Sequence, residues 1–428
     1  MSRIPADLAV VGISELATPE GKAPRLGADL GSLRVLRDAA VACHAGRIVF
    51  VGPGRELREA IELQAGGRTL DARGGTVLPG FVDAHTHLPF AGWRESEFDE
   101  RLRGATYSEI AARGGGILST VAATRAVPED TLAELVRSRL DGMLALGTTT
   151  VEAKSGYGLS TEAEIKQLEA LRAGASGHPV EVVPTFLGAH TLPEAFRDDR
   201  ASYVRLLVEE MIPEVARRGL AEYADAFVDA RAFTLDEARA VLGAARSRGL
   251  GVRVHADQLA ADGGAELAAE MEAASADHLE FVSDSGIEAL ARAGVAGVLL
   301  PAATFFLMQD RRPPGRRLVE RGVPVVTATD FNPGSSPCES MIAVLAFTCM
   351  LARLSVDEAI TAATLNAACA LGRADRAGSI EPGKRADLVV HAVPNRRHLV
   401  YRFGVPRVRA VVAAGKVVVE DGQVLPRG

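Results

Sequence analysis

The middle of this chain alternates between two kinds of segment, and this alternation restricts its fold more than any other feature. Short apolar runs that suit buried parallel strands are followed by longer, alanine-rich stretches with the spacing of amphipathic helices. Strand–helix alternation over roughly 300 residues predicts an α/β fold, a (β/α)8 TIM-like barrel. The runs include Thr76–Val82, Val180–Phe186, Gly251–His255 and Val323–Thr327, and the stretches include Pro128–Leu146, Thr161–Ala173, Leu235–Arg248 and Asp284–Arg292.

Both ends of the chain have a different pattern, made of short β-branched segments separated by turns. Ala39–Val51 near the start is broken at Gly46, and Ala386–Val393 and Val408–Val419 near the end have the same character. Neither set alone would bury much surface, so we expect them to form one small β-sandwich domain together. The predicted domains are residues 1–75 and 378–428 for the two parts of the β domain, and residues 76–377 for the barrel.

Charge and composition exclude several classes of function. The chain has 48 basic and 55 acidic side chains, and this net charge of −7 argues against a general nucleic-acid or anionic-membrane surface. No apolar run approaches the ~20 residues of a membrane span, and the first residues lack the apolar core of a secretory signal. The four cysteines form no CxxC pair, which indicates a reducing compartment. We therefore expect a cytoplasmic enzyme with a small-molecule substrate and no nucleic-acid or membrane partner.

Two histidines directly after the first predicted barrel strand form the first candidate site. His85 and His87 lie two residues apart, so on an extended backbone both side chains point to the same face. In a barrel this position is the C-terminal rim, where catalytic groups are found. Paired imidazoles suit a borderline divalent metal. Two solvent-exposed loop histidines are the alternative interpretation.

Further histidines and one aspartate occupy comparable positions at predicted strand ends. His255 ends one apolar run, His190 and His278 lie near the ends of others, and Asp330 follows the last predicted barrel strand. Taken alone, each histidine is more often an ordinary hydrogen-bonded residue, and Asp330 could cap a helix or accept a bond from a nearby serine. Five of the nine histidines nevertheless share this context. The remaining four do not: His44, His178, His391 and His398.

Three imidazoles and one carboxylate would form a shell for a zinc or iron(II) ion, with a position left for water in a catalytic site. Such an ion lowers the pKa of water towards ~7 and polarises a carbonyl, which suits hydrolysis of an amide-like bond. No GxSxG elbow, Walker loop or GxGxxG fingerprint competes with this interpretation. The triple glycine Gly114–Gly116 follows a helix-like segment and indicates a flexible loop.

Taken together, these motifs resemble the amidohydrolase superfamily, both in their order along the barrel and in the split β domain. Within it the chain is most similar to the imidazolonepropionase family, over nearly its whole length. The resemblance implies hydrolytic ring opening of 4-imidazolone-5-propanoate to N-formimidoyl-L-glutamate in L-histidine degradation. Gly378–Leu388 matches the superfamily, and the segments most specific to the imidazolonepropionase family are His85–Arg101, Gly114–Arg125, Lys154–Leu159, Phe186–His190, His255–Leu259 and Asp330–Ser336.

The resemblance also implies a role for each matched residue. Arg94 offers a planar fork that suits a carboxylate, although a salt bridge with Glu95 or Glu97 is the alternative. The metal ligands, for one Zn2+ or Fe ion per subunit, would be His85, His87, His255 and Asp330. His278 would lie against the substrate ring, and we assign catalytic proton transfer to His278 and Asp330. The substrate's propanoate tail would contact Arg94, Tyr107 and Tyr157, and the rest of the substrate His190, Gln258, Asn332, Gly334 and Ser335.

Two positions depart from the wider pattern. Gln258 stands where some relatives have a glutamate proposed as the acid–base group. An amide cannot transfer that proton at neutral pH, so we expect Gln258 to hold the ring instead. The second position is Lys154, which directly precedes Ser155–Leu159. In many binuclear amidohydrolases, a carbamylated lysine bridges two metals. The resemblance favours a single metal here.

Two other functions remain open at this point. Another mononuclear metal-dependent amidohydrolase or deaminase, acting on cyclic amides or amidines, would need no anchor for a propanoate arm. A non-catalytic scaffold on the same fold would usually have lost metal ligands, whereas this chain keeps every expected one. The family also implies a homodimer.

Overall fold

The computed structural model describes residues 3–105, 109–110, 113–405 and 407–427, and contains two β-sheets with surrounding helices. In chain order the strands are β1 (Ile4–Thr18), β2 (Arg34–His44), β3 (Arg47–Pro53), β4 (Ile61–Asp71), β5 (Thr76–Pro79), β6 (Phe81–Asp83), β7 (Thr148–Lys154), β8 (Glu181–Ala189), β9 (Tyr223–Phe227), β10 (Gly251–Ala256), β11 (Ser275–His278), β12 (Ala296–Leu299), β13 (Val325–Thr327), β14 (Leu388–His391), β15 (Val408–Ala413), β16 (Lys416–Glu420) and β17 (Gln423–Val424). The α-helices are Leu57–Ala60, Glu95–Leu102, Ile117–Ala126, Glu129–Ala145, Thr161–Ala175, Arg200–Leu206, Ile212–Arg218, Leu235–Ser247, Gly264–Glu270, Asp284–Ala293, Pro301–Phe306, Gly315–Glu320, Met341–Leu351, Val356–Ala362, Leu365–Ala370 and Arg397–Tyr401.

The strands β6 to β13 form a barrel in which each strand pairs in parallel with its neighbour in sequence. Parallel strands in such a barrel are covered on both faces, and every residue of β7, β11, β12 and β13 is accordingly buried. At the C-terminal end, Thr86 after β6 forms a parallel bridge with Phe331 after β13 and so closes the ring. The predicted (β/α)8 barrel is confirmed.

The helices around the barrel follow from local sequence features. Glu129–Ala145 buries Leu132, Val136 and Leu140, which recur at helical spacing. Thr234 begins the helix Leu235–Ser247 with a capping box that it shares with a glutamate three residues later. The four helices predicted from the sequence begin and end within two residues of the observed ones. Over the ranges that the structure describes, no helix has both the length and the hydropathy for crossing a bilayer.

Both ends of the chain build the second sheet, in the order β17-β16-β15-β14-β5-β1-β2-β3, with β4 also paired with β1. The two ends meet where β5 and β14 run antiparallel, with Leu78 opposite Val389. The sheet folds over one core, since Ile48 in β3 and Val412 in β15 belong to the same buried cluster as Ile13 in β1. The expected β domain built from both chain ends is confirmed, while the exact domain boundaries stay a prediction.

The single strand predicted at Thr76–Val82 is wrong, because the chain passes from one sheet to the other at Gly80. β5 pairs with β1 and β14, whereas β6 pairs with β7. A Cβ atom at Gly80 would lie 2.2 Å from Thr149 Oγ1, and the Gly80 N–H donates to the Asp387 carbonyl at 3.0 Å. Only a residue without a side chain allows this close crossing between the sheets.

Buried hydrogen bonds hold the first and last barrel strands together just below the rim. The backbone N–H and the hydroxyl of Thr329 donate to the two carboxylate oxygens of Asp83, at 3.1 and 2.6 Å. The Asp330 N–H donates to the His85 carbonyl at 3.0 Å. We call these bonds between Asp83, His85, Thr329 and Asp330 the barrel seam. The seam joins His85 and Asp330, the first and last candidate ligands in the chain.

Replacing Thr329 by valine keeps the side-chain shape but removes the hydroxyl that donates to the buried Asp83 carboxylate. We expect the free energy of unfolding to fall by about 1–3 kcal/mol, measured by urea denaturation. Thr361→Val is the matched control, because Thr361 is also buried but its hydroxyl donates to the Asp357 carbonyl within a helix. Its loss should stay below about 1 kcal/mol. Equal losses in both variants would contradict this account of the seam.

Candidate active site

The structure brings the candidate ligands together at the C-terminal rim of the barrel. His85 and His87 follow β6, His255 lies near the end of β10, His278 ends β11, and Asp330 follows β13. The carboxyl ends of parallel strands meet at one rim, so residues from distant parts of the sequence converge there.

The convergence is close enough for a single ion. The ring centroids of His85 and His255 lie 4.6 Å apart, and those of His85 and His87 lie 5.3 Å apart. Asp330 Oδ1 lies 3.5 Å from Nε2 of both His85 and His87. Two groups share His85 and keep their ligand atoms within 4.8 Å of one another: His85, His255 and His278, and His85, His87 and Asp330.

The donor atoms fit a borderline divalent metal. His85 Nδ1 lies 2.6 Å from Asp277 Oδ2, which leaves Nε2 as the free nitrogen, and this buried atom has no hydrogen-bond partner in the described part of the chain. Burial, together with neighbouring positive groups, holds the pKa values of His85 and His87 well below the ordinary histidine value. Both rings are therefore neutral, as metal ligation requires.

Carboxylates that the sequence interpretation missed lie directly below the imidazoles. Asp277 contacts His85, and Asp225 Oδ2 lies 3.0 Å from His255 Nδ1. Both carboxylates are buried inside strands of the barrel. The available signal was a charged residue inside a short apolar strand, in β9 for Asp225 and in β11 for Asp277.

Lys154 belongs to this same buried layer. Its Nζ lies 2.8 Å from Glu152 Oε1 and 2.9 Å from Asp225 Oδ2, at the end of the second barrel strand, β7. The adjacent carboxylates raise its pKa against the opposing effect of burial. A carbamate forms on a neutral amine, so this charged environment opposes the binuclear arrangement that the lysine suggested.

The backbone adopts unusual conformations at two site residues. His278 has φ 84° and Asp330 has φ 55°, both in the left-handed region that non-glycine residues rarely occupy. His278 Nδ1 lies 3.9 Å from Glu280 Oε2. Glu280 accepts a hydrogen bond from the Thr304 hydroxyl at 2.8 Å, and its burial raises its pKa to about 7. Glu280 was not singled out in the sequence, although it lies only two positions after His278.

A cavity of about 580 Å³ opens above the imidazole cluster. His85 lies beneath its floor, and Tyr107 lies outside the described residues. The other residues predicted for the site all line the cavity: His87, Arg94, Tyr157, His190, His255, Gln258, His278, Asp330, Asn332, Gly334 and Ser335.

Arg94 has the salt bridge that was the alternative interpretation, and it also lines the cavity. Its Nε donates to Glu97 Oε2 at 2.8 Å. The guanidinium packs against Gly334, where a Cβ atom would lie 2.2 Å from Arg94 Nη1. Gly334 thus leaves room for the Arg94 guanidinium. This explains why a glycine is needed at position 334, which the sequence indicated only through the family resemblance.

Asn332 and Ser335 hold the turn that follows Asp330. The Asn332 amide donates to the Asp330 carbonyl at 2.6 Å and to Ser335 Oγ at 2.8 Å. Its oxygen accepts from the backbone N–H groups of Gly334 and Ser335, both at 2.8 Å. Ser335 Oγ in turn donates to Asp330 Oδ2 at 3.1 Å. These residues therefore position the Asp330 carboxylate.

Two buried side chains of the helix Thr161–Ala175 hold the loop that contains Tyr157. Glu164 accepts from the N–H groups of Gly156, Gly158 and Leu159, at 2.7–3.0 Å. Gln167 Oε1 accepts from the Tyr157 N–H at 3.0 Å. The sequence interpretation missed both. Across the loop, His190 Nδ1 lies 3.0 Å from the Gly156 carbonyl, so Nδ1 carries the proton of this ring.

A (β/α)8 barrel whose catalytic rim brings imidazoles and an aspartate within 4.8 Å of one another defines a metal-dependent hydrolase. The amidohydrolase family model matches residues 76–418. The chain is 49% identical to the imidazolonepropionase of Symbiobacterium thermophilum over 99% of this chain and 100% of that protein. It is 50% identical to the imidazolonepropionase of Geobacillus kaustophilus over 94% and 95%, respectively. The chain belongs to the amidohydrolase family and, within it, to the imidazolonepropionases.

Solved structures at lower identity show the same fold. A zinc-bound adenosine deaminase from Xanthomonas campestris is 21% identical, with a TM-score of 0.73 over 99% of this chain and 95% of that one. A zinc complex of atrazine chlorohydrolase from Arthrobacter aurescens is 19% identical, with a TM-score of 0.72 over 98% and 96%. At this level of identity the likeness concerns the fold alone.

Proposed function

We propose that this chain hydrolyses 4-imidazolone-5-propanoate to N-formimidoyl-L-glutamate, a ring-opening step in L-histidine degradation. The observation that carries the proposal is that His87, His255 and Asp330 line a cavity together with Arg94, and that His85 lies against His255 and Asp330. The near-complete coverage of imidazolonepropionases at about half identical residues supports the same substrate.

We propose that His85, His87, His255 and Asp330 hold one Zn2+ or Fe ion per subunit. When bound, the ion would supply a Lewis acid and water that ionises near neutral pH. The neutral, buried state of His85 and His87 supports this assignment, as does the free His85 Nε2. Asp277 and Asp225 orient the rings of His85 and His255 from below.

The propanoate arm is assigned to Arg94, Tyr107 and Tyr157. The Arg94 Nε is engaged by Glu97, and its two terminal nitrogens provide a fork for a carboxylate. Burial raises the pKa of Tyr157 above its usual range, so its hydroxyl is a neutral donor. Anchoring the arm fixes the ring carbonyl near the floor of the cavity and reduces the entropic cost of reaction.

The ring is assigned to His190, Gln258, Gly334 and Ser335, with Asn332 in a supporting role behind them. His190 keeps its proton on Nδ1 towards Gly156, so its Nε2 is an acceptor for a ring N–H group. Gln258 lines the same cavity and can both donate and accept. The Asn332 amide is already engaged by the turn, so we assign it to positioning Gly334 and Ser335.

Proton transfer is assigned to Asp330 and His278. During hydrolysis a water oxygen bonds to the ring carbonyl carbon, the carbon–nitrogen bond breaks, and the departing nitrogen gains a proton. Asp330 is placed to take the proton from water and return it to that nitrogen, with Ser335 holding its other oxygen. Burial lowers the pKa of His278 to about 3, so its ring is neutral and can donate a hydrogen bond to the developing oxyanion.

The direct test mixes the purified, metal-loaded chain with imidazolonepropanoate and follows loss of the ring's ultraviolet absorbance. We expect turnover that chelation abolishes and that added Zn2+ or Fe2+ restores. Asp330→Ala should lower kcat by roughly 100-fold or more, with the fold retained by circular dichroism. Asp284→Ala, at an exposed helix start, is the control and should match the unaltered chain. Full activity of metal-free protein, or of the Asp330 variant, would refute the proposal.

A second experiment separates this function from that of another amidohydrolase or deaminase. Arg94→Met should raise KM for imidazolonepropanoate by about 10–100-fold, the loss expected for one charge-assisted contact, and change kcat less. Arg103→Met is the control, because its exposed side chain lies just after the helix Glu95–Leu102 and pairs with Asp99 of that helix. Faster turnover of rings without the propanoate arm, or an unchanged KM in the Arg94 variant, would favour the alternative function.

We also propose that the chain is a cytoplasmic homodimer. All four cysteines are free, as in a reducing compartment. Phe305 and Met350 are exposed on neighbouring helices, and Met308 is exposed just after the helix Pro301–Phe306. Phe305 stacks on Phe347 at 4.8 Å, which supplies an apolar surface for a second copy. Light scattering should give twice the 45.0 kDa of one chain. Phe305→Glu should give the monomer mass, and a monomeric unaltered chain would contradict the proposal.

A further inference from the structure

Five charged side chains are buried together inside the barrel, one layer below the imidazoles. All are at most 1% exposed: Glu152, Lys154, Asp225, Arg253 and Asp277. Burying a charge is costly unless it is paired, so a group of this size needs a compensating reason for its presence. Two of its members, Asp225 and Asp277, contact His255 and His85.

Lys154 is the residue that connects the three carboxylates of this layer. Its Nζ lies 2.8 Å from Glu152, 2.9 Å from Asp225 and 3.8 Å from Asp277. Asp225 Oδ2 therefore lies between Lys154 and the His255 ring, and Asp277 Oδ2 lies between Lys154 and the His85 ring.

Glu152 extends the same connection to the backbone between the paired histidines. Its Oε2 accepts from the Thr86 N–H at 3.3 Å, and its carbonyl accepts from the Thr86 hydroxyl at 2.7 Å. The Lys154 N–H donates to the Thr86 carbonyl at 2.9 Å. Thr86 lies between His85 and His87, so this contact fixes the segment from which both rings project.

The other cation of the layer is placed differently. Arg253 donates to the backbone carbonyls of Ala84 and Ala370, at 3.2 and 3.3 Å, and its guanidinium lies 5.2 Å from the centre of the Tyr223 ring. In the described part of the chain, Lys154 is thus the cation within ion-pair distance of the carboxylates that touch His85 and His255, while Arg253 acts on the same carboxylates from farther away.

We propose that Lys154 is a positioning residue for the metal centre, which holds Asp225, Asp277 and Glu152 so that His85, His87 and His255 are aimed at one point. This inference rests on the proposed ligand set and deepens it. The ammonium group draws the carboxylates to fixed places, and each carboxylate fixes one imidazole or its backbone. Groups that orient metal ligands in this way typically change metal affinity by 10–100-fold when they are removed.

The test compares zinc affinity in two lysine variants, by competition with a chromophoric chelator. Lys154→Met should weaken zinc binding by about 10–100-fold. Lys166→Met is the matched control, because Lys166 Nζ also has three acceptors, the carbonyls of Thr124, Arg125 and Val127, remote from the imidazoles. Its zinc affinity should stay within about twofold of the unaltered chain while its thermal stability falls, since the lost contacts are structural.

A charge-balanced variant keeps the test decisive if Lys154→Met does not fold. Lys154→Met combined with Glu152→Gln removes one positive and one negative charge together, which lowers the cost of burial. It should fold and still bind zinc at least about tenfold more weakly. Unchanged zinc affinity in the folded variants, or an equal loss in Lys166→Met, would overturn the inference. Zinc binding is measured without substrate, so failure of the ring-opening proposal would be seen separately.

Discussion

The arrangement at the rim depends on contacts between buried carboxylates and imidazoles. Asp277 lies 2.6 Å from His85 Nδ1, and Asp225 lies 3.0 Å from His255 Nδ1. The hydrogen bond to Asp277 fixes the proton of His85 on Nδ1 and turns Nε2 towards the cavity. The His85 ring in turn satisfies part of the hydrogen-bonding needs of a carboxylate that would be costly to bury alone. The charged interior of the barrel and the ligand cluster are therefore one structural unit.

The barrel seam brings the most distant members of that unit together. His85 follows the first barrel strand and Asp330 follows the last, and the bonds between Thr329 and Asp83 hold those strands side by side. Asn332 builds the turn after Asp330 by donating to its carbonyl. The backbone of Asp330 has a left-handed conformation at this turn. The proposed metal ligands thus lie at or just after the ends of rigid strands, while the loops that contain Arg94 and Tyr157 supply the contacts assigned to the substrate.

Much of the fold can be predicted from the sequence because burial on both faces leaves a clear apolar pattern in barrel strands such as β8, β10 and β13. The spacing of His85 and His87 likewise predicts a shared direction for their side chains. The crossing at Gly80 was missed, although the turn signal Pro79–Gly80 interrupts the apolar run Thr76–Val82 at that point. Asp277 was missed for another reason, because its partner His85 is 192 residues away and no local pattern links them. By analogy with binuclear relatives, Lys154 raised the question of a second metal. Its ion pairs with Glu152 and Asp225, which come from the three-dimensional structure, oppose that role.

The most direct measurement is anomalous X-ray scattering from a crystal of the zinc-loaded chain. The account predicts one zinc peak per subunit, about 2.0–2.2 Å from one nitrogen each of His85, His87 and His255 and from one oxygen of Asp330. A peak that lies outside bonding distance of these atoms, or a second peak beside Lys154, would contradict it.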